Sequence, residues 1–356
     1  MTFTESTSYR VLLVEDSPTQ RRYLATLIND STLLQVVGEA QNGLEAISLA
    51  EELAPDVIAM DIRMPKMDGL LATERIMTDK PTPVVIVSGL LESEIDLSFR
   101  AVQAGAMAVV EKPPSRRDPG FKESTNHMLN TLVAMARVGI LPHHRHENDY
   151  NRKQQPTPVR AKQLPELIVI GASTGGPRAL YTILKDLPVE MPVPIVVAQH
   201  LPDQFIEGLV RWLKSATQLR VEIAEDKRHL QPGVVTLAPG TAHVTVERHG
   251  GHLVTRLHDD EAINGFRPSI DVLFRSVAAV CGEQAIGLVL SGMGDDGVDG
   301  LRAMRQAGAR TFAQDETTSA VFGMPGAAIA NDAVEAVLPV SQLAGELLAA
   351  IKAYQE

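Results

Sequence analysis

A chain of 356 residues is longer than one ordinary core and suits two, because single domains run about 100 to 200 residues. An apolar fraction of 44%, interspersed with charge, has enough to bury and excludes a disordered composition. A net charge of -11, with 1 Trp and 5 Tyr, argues against nucleic acid as a partner, since such binding needs dense Lys and Arg or stacking aromatics.

The start, MTFTESTSYR, lacks the basic-then-apolar pattern of a secretion signal. Residues 9–139 alternate short Val/Leu/Ile runs with amphipathic stretches. Arg10 to Val14, Leu33 to Gly38, Val57 to Met60, Val84 to Ser88 and Ala106 to Val110 are expected as buried parallel strands. Helices are expected between them, as at Pro18 to Asn29 and Gly43 to Leu53. This predicts a doubly wound α/β sheet of (βα)5 form, whose ligands lie at the carboxyl ends of its strands.

Glu15 and Asp16, Asp61, Ser88 and Lys112 each fall at such an end, so all meet at one sheet edge. Three carboxylates repel one another unless a cation compensates, and hard oxygen donors favour Mg²⁺. A carboxylate there, most naturally Asp61, can attack a phosphoryl group while a lysine and a hydroxyl steady its oxygens. Any one of these residues alone is more simply a helix cap, but four positions in order outweigh that reading.

From residue 141 to 165 the pattern lapses into HHRHENDYNRKQQPTPVRAKQLPE, which is polar, Pro-bearing and without apolar period, as expected of a flexible linker. His143, His144 and His146 lie in it, and such short His tracts are more often solvated than metal-bound. The domains are therefore expected at 1–140 and 166–356.

Beyond the linker, Leu167 to Ile170, Ile195 to Ala198, Arg220 to Ala224 and Ala285 to Leu290 resume the α/β alternation. Gly233 to Ala238, Val244 to Glu247 and His252 to Leu257 are expected to form a β-rich insert. The longest apolar runs, 193–198 and 285–290, fall far short of the roughly 20 residues that cross a bilayer, so no membrane insertion is expected. With a single cysteine, Cys281, an internal disulfide is excluded, and the cytoplasm is the default location.

LIVIGASTGGPRAL places Ser173 between a strand and a helix, on a turn that Gly171, Gly175 and Gly176 permit and Pro177 continues. The hydroxyl would stand beside backbone N–H groups at a helix N-terminus, fit for a nucleophile with an oxyanion site. GASTG satisfies the short G-x-S-x-G pattern, and a phosphate-binding loop is an alternative for the same residues. His200 ends the strand in PIVVAQH, and Asp295 or Asp296 follows the strand in AIGLVLSGMGDDG. Serine needs a base, imidazole titrates near neutrality, and a carboxylate can orient it. The chain order Ser, His, Asp differs from that of α/β-hydrolases. His229, His243 and His258 could compete for the role of base, but only His200 ends a strand like the one carrying Ser173.

In VLLVEDS, DIRMPKMDG, VVIVSG and VVEKPP, residues 9–138 resemble the response-regulator receiver family. The resemblance implies Glu15 and Asp16 as an acidic pair, Asp61 as phosphoacceptor, Ser88 as hydroxyl, Lys112 as the site lysine, and the Arg63 carbonyl in a Mg²⁺ shell. Val109 stands where many receivers carry an aromatic. The rest of the chain resembles the catalytic domain of chemotaxis protein-glutamate methylesterases, the CheB family, through GASTGGP, VVAQHLP, LQPGVVTLAPGTAH, RPSIDVLFRSVA, LSGMGDDG and FGMPGAA. That resemblance implies a cofactor-free Ser173, His200, Asp296 triad with oxyanion donors at the Met293 backbone and near Thr174. Gly326 stands where many members carry an arginine. The implied substrates are methyl esters, and also glutamine amides, on chemoreceptor cytoplasmic domains, with a histidine kinase as phosphodonor.

Two other readings of the second half carry sequence requirements. A transcriptional output domain would need a helix-turn-helix with a basic recognition helix, and a nucleotide-binding domain would need G-x-G-x-x-G. The α/β pattern opposes the first, and the glycine spacing opposes the second. A long linker also lets the receiver dock reversibly over the catalytic edge, so that docking would occlude Ser173 and phosphorylation would release it.

Overall fold

The computed structural model describes residues 8–89, 92–138 and 165–353; residues 141–164 of the expected linker, with its three histidines and Gln163, lie outside them. Among the described residues no helix is long and apolar enough to cross a membrane.

The first unit runs β1 (Tyr9–Val14), α1 (Pro18–Asn29), β2 (Leu34–Ala40), α2 (Gly43–Leu53), β3 (Val57–Met60), α3 (Gly69–Asp79), β4 (Val84–Ser88), α4 (Glu92–Gln103), β5 (Ala108–Glu111) and α5 (Phe121–Val138). Its five strands are parallel in the order β2-β1-β3-β4-β5, with helices on both faces. Local chemistry sets the helix starts. Ser17, Asn42 and Asp68 each accept a hydrogen bond from a backbone N–H in the first turn of the helix that follows, and Pro18 opens α1 where no amide partner is needed. β3 and β4 are buried along their whole length, as a sheet covered on both faces requires.

The second unit contains β6 (Leu167–Ala172), α6 (Gly176–Leu184), β7 (Ile195–Gln199), α7 (Asp203–Ala216), β8 (Arg220–Ile223), β9 (Val234–Leu237), β10 (His243–His249), β11 (His252–His258), α8 (Ile270–Cys281), β12 (Ala285–Val289), α9 (Val298–Gln306), β13 (Arg310–Gln314), α10 (Met324–Ala330), β14 (Ala336–Leu338) and α11 (Val340–Ala353). Seven strands form one parallel sheet, β14-β13-β12-β6-β7-β9-β8.

This corrects the expected insert. The run from Gly233 to Ala238 is no part of it: β9 is buried throughout and lies between β7 and β8. Of the three runs, the two that form the antiparallel β10–β11 hairpin stand outside the main sheet, and Val244 and Val246 pack it onto the core around α8.

The units meet along α4 and α7. Phe99 of α4 stacks on Trp212 of α7 at 5.6 Å between centroids and meets Phe205 edge-on at 6.5 Å. Gly208 makes this approach possible, since a Cβ there would lie 2.2 Å from Ile95 Cγ2 and 3.0 Å from Phe99 Cε2. Arg211 donates to Asp96 Oδ1 at 3.1 and 3.0 Å beside the aromatic seam.

Candidate functional site

In the first unit, backbone hydrogen bonds bring successive strand ends into line: Glu15 N–H to the Ala40 carbonyl, Asp61 N–H to that of Val14, and Lys112 N–H to that of Ser88. Ligand atoms of Glu15, Asp16 and Asp61 fall within 4.8 Å of one another, Glu15 and Asp61 buried and Asp16 exposed. Lys112 Nζ bridges Glu15 at 2.9 Å and Asp61 at 2.8 Å. Burial pushes the Asp61 carboxyl up to about 6, aided by Glu15 and opposed by Lys112. Burial lowers the Lys112 ammonium, but Asp61 and Glu15 outweigh it and leave its pKa above the ordinary value. A donor set of hard oxygens whose mutual repulsion is only partly relieved by one lysine fits a divalent cation. Ser88 is buried at the end of β4, and exposed Arg63 follows Asp61 by two positions.

In the second unit the three predicted strand ends converge. The turn after β6 carries Ser173 into α6 through Gly175, whose φ of +80° suits glycine. Ser173 N–H donates to the Ser291 carbonyl at 3.1 Å, and His200 N–H to that of Ala172 at 3.0 Å. Gly292 is small by necessity, because a Cβ there would sit 2.7 Å from Ser173 Cβ and 2.2 Å from Met324 Sδ. The loop holding Met293 therefore lies against Ser173. Gly326 lies on α10 with the Phe322 ring beside it.

His200 Nε2 lies 2.8 Å from Asp296 Oδ2. Asp296 also accepts from Ser269 Oγ at 2.9 Å and from the N–H groups of Ile270 at 2.7 Å and Asp271 at 3.1 Å, the opening amides of α8. Burial raises the Asp296 carboxyl, but the hydrogen bond and charge of His200 and these two amides outweigh it and hold its pKa below the ordinary value. A carboxylate can only accept, so the shared proton is on Nε2, and in the neutral ring the lone pair is on Nδ1. Nδ1 is buried with no hydrogen-bond partner among the described residues. Asp295, by contrast, is exposed.

The competing histidines have other duties. His243 Nδ1 accepts from Ser269 N–H and its Nε2 donates to the Glu261 carbonyl, while His258 pairs with Thr245 and His229 meets His252 edge-on.

Four supporting side chains escaped sequence reasoning. Gln199 donates to the Ser173 carbonyl at 2.8 Å and to that of His200 at 3.3 Å, joining the two strand ends. Ser291 Oγ donates to the Thr174 carbonyl at 2.7 Å. Ser269 caps α8 and holds Asp296. Phe266 stacks on the His200 ring, with centroids 4.1 Å apart and planes inclined by 9°. An Asn-Gly pair just before Phe266 was a turn signal available in the sequence.

Ser173 and His200 are 4% and 8% exposed, and residues of the first unit lie across the cavity from them. Val102, Met107, Ala108, Val109, His127 and Thr131 enclose a cavity together with Ser173, Thr174, His200 and Arg178. The space left is about 20 Å³, room for about one water molecule. A peptide side chain has little room beside Ser173 in this arrangement.

Comparison with known proteins finds two family models on the chain, a response regulator receiver domain over residues 11–118 and CheB methylesterase over residues 168–347. The chain is 43% identical over 348 residues to protein-glutamate methylesterase/protein-glutamine glutaminase 4 of Myxococcus xanthus, covering 96% of this chain and 97% of that one. A namesake numbered 3 from Anaeromyxobacter dehalogenans is 43% identical over 340 residues, covering 95% and 98%. The crystal structure of the Thermotoga maritima CheB methylesterase catalytic domain matches with a TM-score of 0.51 at 36% identity, over 52% of this chain and 97% of that one.

Proposed function

The chain belongs to the CheB methylesterase family, with a receiver domain ahead of the catalytic one, and from that premise we propose that it is a phosphorylation-regulated protein-glutamate methylesterase and protein-glutamine glutaminase acting on chemoreceptor cytoplasmic domains. Residues 1–140 form the receiver and 166–356 the catalytic domain, joined by a linker over 141–165. A histidine kinase supplies phosphate, and the cytoplasm is the site of action.

The observation that carries the catalytic reading is the His200–Asp296 pair: its buried Nδ1 has no hydrogen-bond partner among the described residues, and His200 lines the same cavity as Ser173. Ser173 Oγ attacks the ester carbonyl carbon while His200 Nδ1 takes its proton. Asp296 holds Nε2–H and stabilises the imidazolium as it forms. The backbone N–H groups of Met293 and Thr174 receive the developing oxyanion. His200 returns the proton to the leaving methanol, and water then opens the acyl-enzyme by the same sequence in reverse. A glutamine side chain follows the same course with ammonia leaving.

In the receiver, Asp61 takes the phosphoryl group, with Lys112 and Ser88 beside its oxygens. Glu15, Asp16, Asp61 and the Arg63 carbonyl would hold Mg²⁺, which supplies charge neutralisation for that transfer. Methyl-labelled receptor fragments test the reading: the chain with acetyl phosphate releases labelled methanol, and Ser173→Ala releases none while keeping its melting temperature. Full release by Ser173→Ala would overturn the triad.

A further inference from the structure

Between β11 and α8 the chain spends eleven residues, 259–269, on a short structure of its own. Ile263 and Phe266 exchange both backbone hydrogen bonds, 3.1 and 2.9 Å, across Asn264 and Gly265. Those two residues have φ of +53° and +83°, the tight hairpin turn that an Asn-Gly pair favours. This minimal hairpin sets the Phe266 ring flat on the His200 imidazole. Three residues later the same segment supplies Ser269 Oγ and the N–H groups of Ile270 and Asp271 to Asp296. His243 ties it down at both ends, to the Glu261 carbonyl and to Ser269 N–H. One segment thus grips both members of the His–Asp pair.

We propose that Phe266 is a positioning residue for the esterase reaction, holding the plane of the His200 ring and favouring its charged form through the aromatic face. The edge of the imidazole is fixed by Asp296 alone, and one hydrogen bond leaves rotation about its own axis. A parallel ring at 4.1 Å removes that freedom and fixes the direction in which Nδ1 points. When His200 takes the serine proton, the imidazolium meets the negative face of a benzene ring, an attraction that strengthens where water is excluded. The stack is therefore worth more in the transition state than in the resting enzyme, so its loss falls on kcat rather than on KM.

The proposal rests on the triad reading, and three measurements on the full-length chain with acetyl phosphate and Mg²⁺ separate the two. Phe266→Leu keeps apolar cover but no ring: kcat for methanol release is expected to fall about 5- to 10-fold with KM within twofold, and Phe266→Tyr restores most of the rate. Labelling of Ser173 by diisopropyl fluorophosphate, which needs the activated serine but no receptor, falls by the same factor in Leu and recovers in Tyr. The His200 ring proton signals, assigned by their loss in His200→Ala, move downfield in Leu as the ring current disappears, and stay in place in Tyr. Equal labelling and methanol rates in Leu and the parent, or a Tyr variant as slow as Leu, would overturn the proposal. A parent chain that labels at Ser173 yet releases no methanol would sink the receptor-esterase reading instead.

Discussion

Asp295 and Asp296 carry the same side chain one peptide apart, yet folding leaves the first exposed and surrounds the second with four donors. No local signal separates them, because the choice is made by the N-terminus of α8 and by His200, 26 and 96 residues away in sequence. Asp296→Asn puts an amide donor where Nε2–H already donates, so kcat is expected to fall by about 10⁴, and Asp295→Asn by far less; equal losses in the methanol assay would refute the assignment. Asp61 makes the opposite kind of test. Its pKa is raised from 3.8 to about 6 in the fold, so its stabilising contribution is present below pH about 4 and is lost as pH rises through about 6. At pH 7, with chelator present, Asp61→Asn is expected to melt at a higher temperature than the parent, with the gain shrinking at pH 5. A variant less stable at pH 7 would mean that the lysine pair outweighs burial. The acidic trio itself was legible, since short buried Val, Leu and Ile runs mark the strands and the trio stands at their ends; the bridging by Lys112 depends on sheet order, which periodicity does not give.

At the scale of elements, α1 and α2 fall where the sequence puts them, because Ser17-Pro18 and Asn42-Gly43 announce their starts chemically. β9 was assigned to the wrong sheet for an equally physical reason. Its four residues follow a Pro-Gly turn and precede a true hairpin, and nothing in a short apolar run says which neighbour it pairs with. β13 and β14 went unread; β14 is three residues at the sheet edge, none of them buried. The α4–α7 seam was equally invisible, since an amphipathic helix does not declare whether its apolar face meets its own domain or another. It yields a prediction nonetheless. Leucine is a better helix former than glycine, so Gly208→Leu does not weaken α7 itself, but its side chain would collide with Ile95 and Phe99. Methanol release without phosphodonor is expected to rise severalfold, and acetyl phosphate to add little more. A variant with parental basal activity would show that the seam does not govern access to Ser173.

For the whole molecule, the expectation of a receiver docked over Ser173 came from linker length and the family resemblance, while its detail lies in packing. Val109 lies on the same strand as Glu111, one residue before Lys112, so the acidic pocket and the cover over Ser173 share β5. A fragment starting at Gln163 lacks that cover and is expected to outpace the unphosphorylated whole chain, with acetyl phosphate accelerating the whole chain and not the fragment. A fragment no faster than the whole chain would rule out occlusion. The seam also bears on inheritance. A helix with no room for one methyl group at Gly208 accepts Ile95 and Phe99 in one placement and refuses bulkier replacements, so the two units have to change together. Lineages that exchanged receivers freely among their regulators would pay with an unlatched esterase, and the two halves are expected to travel through evolution as a matched lock and key.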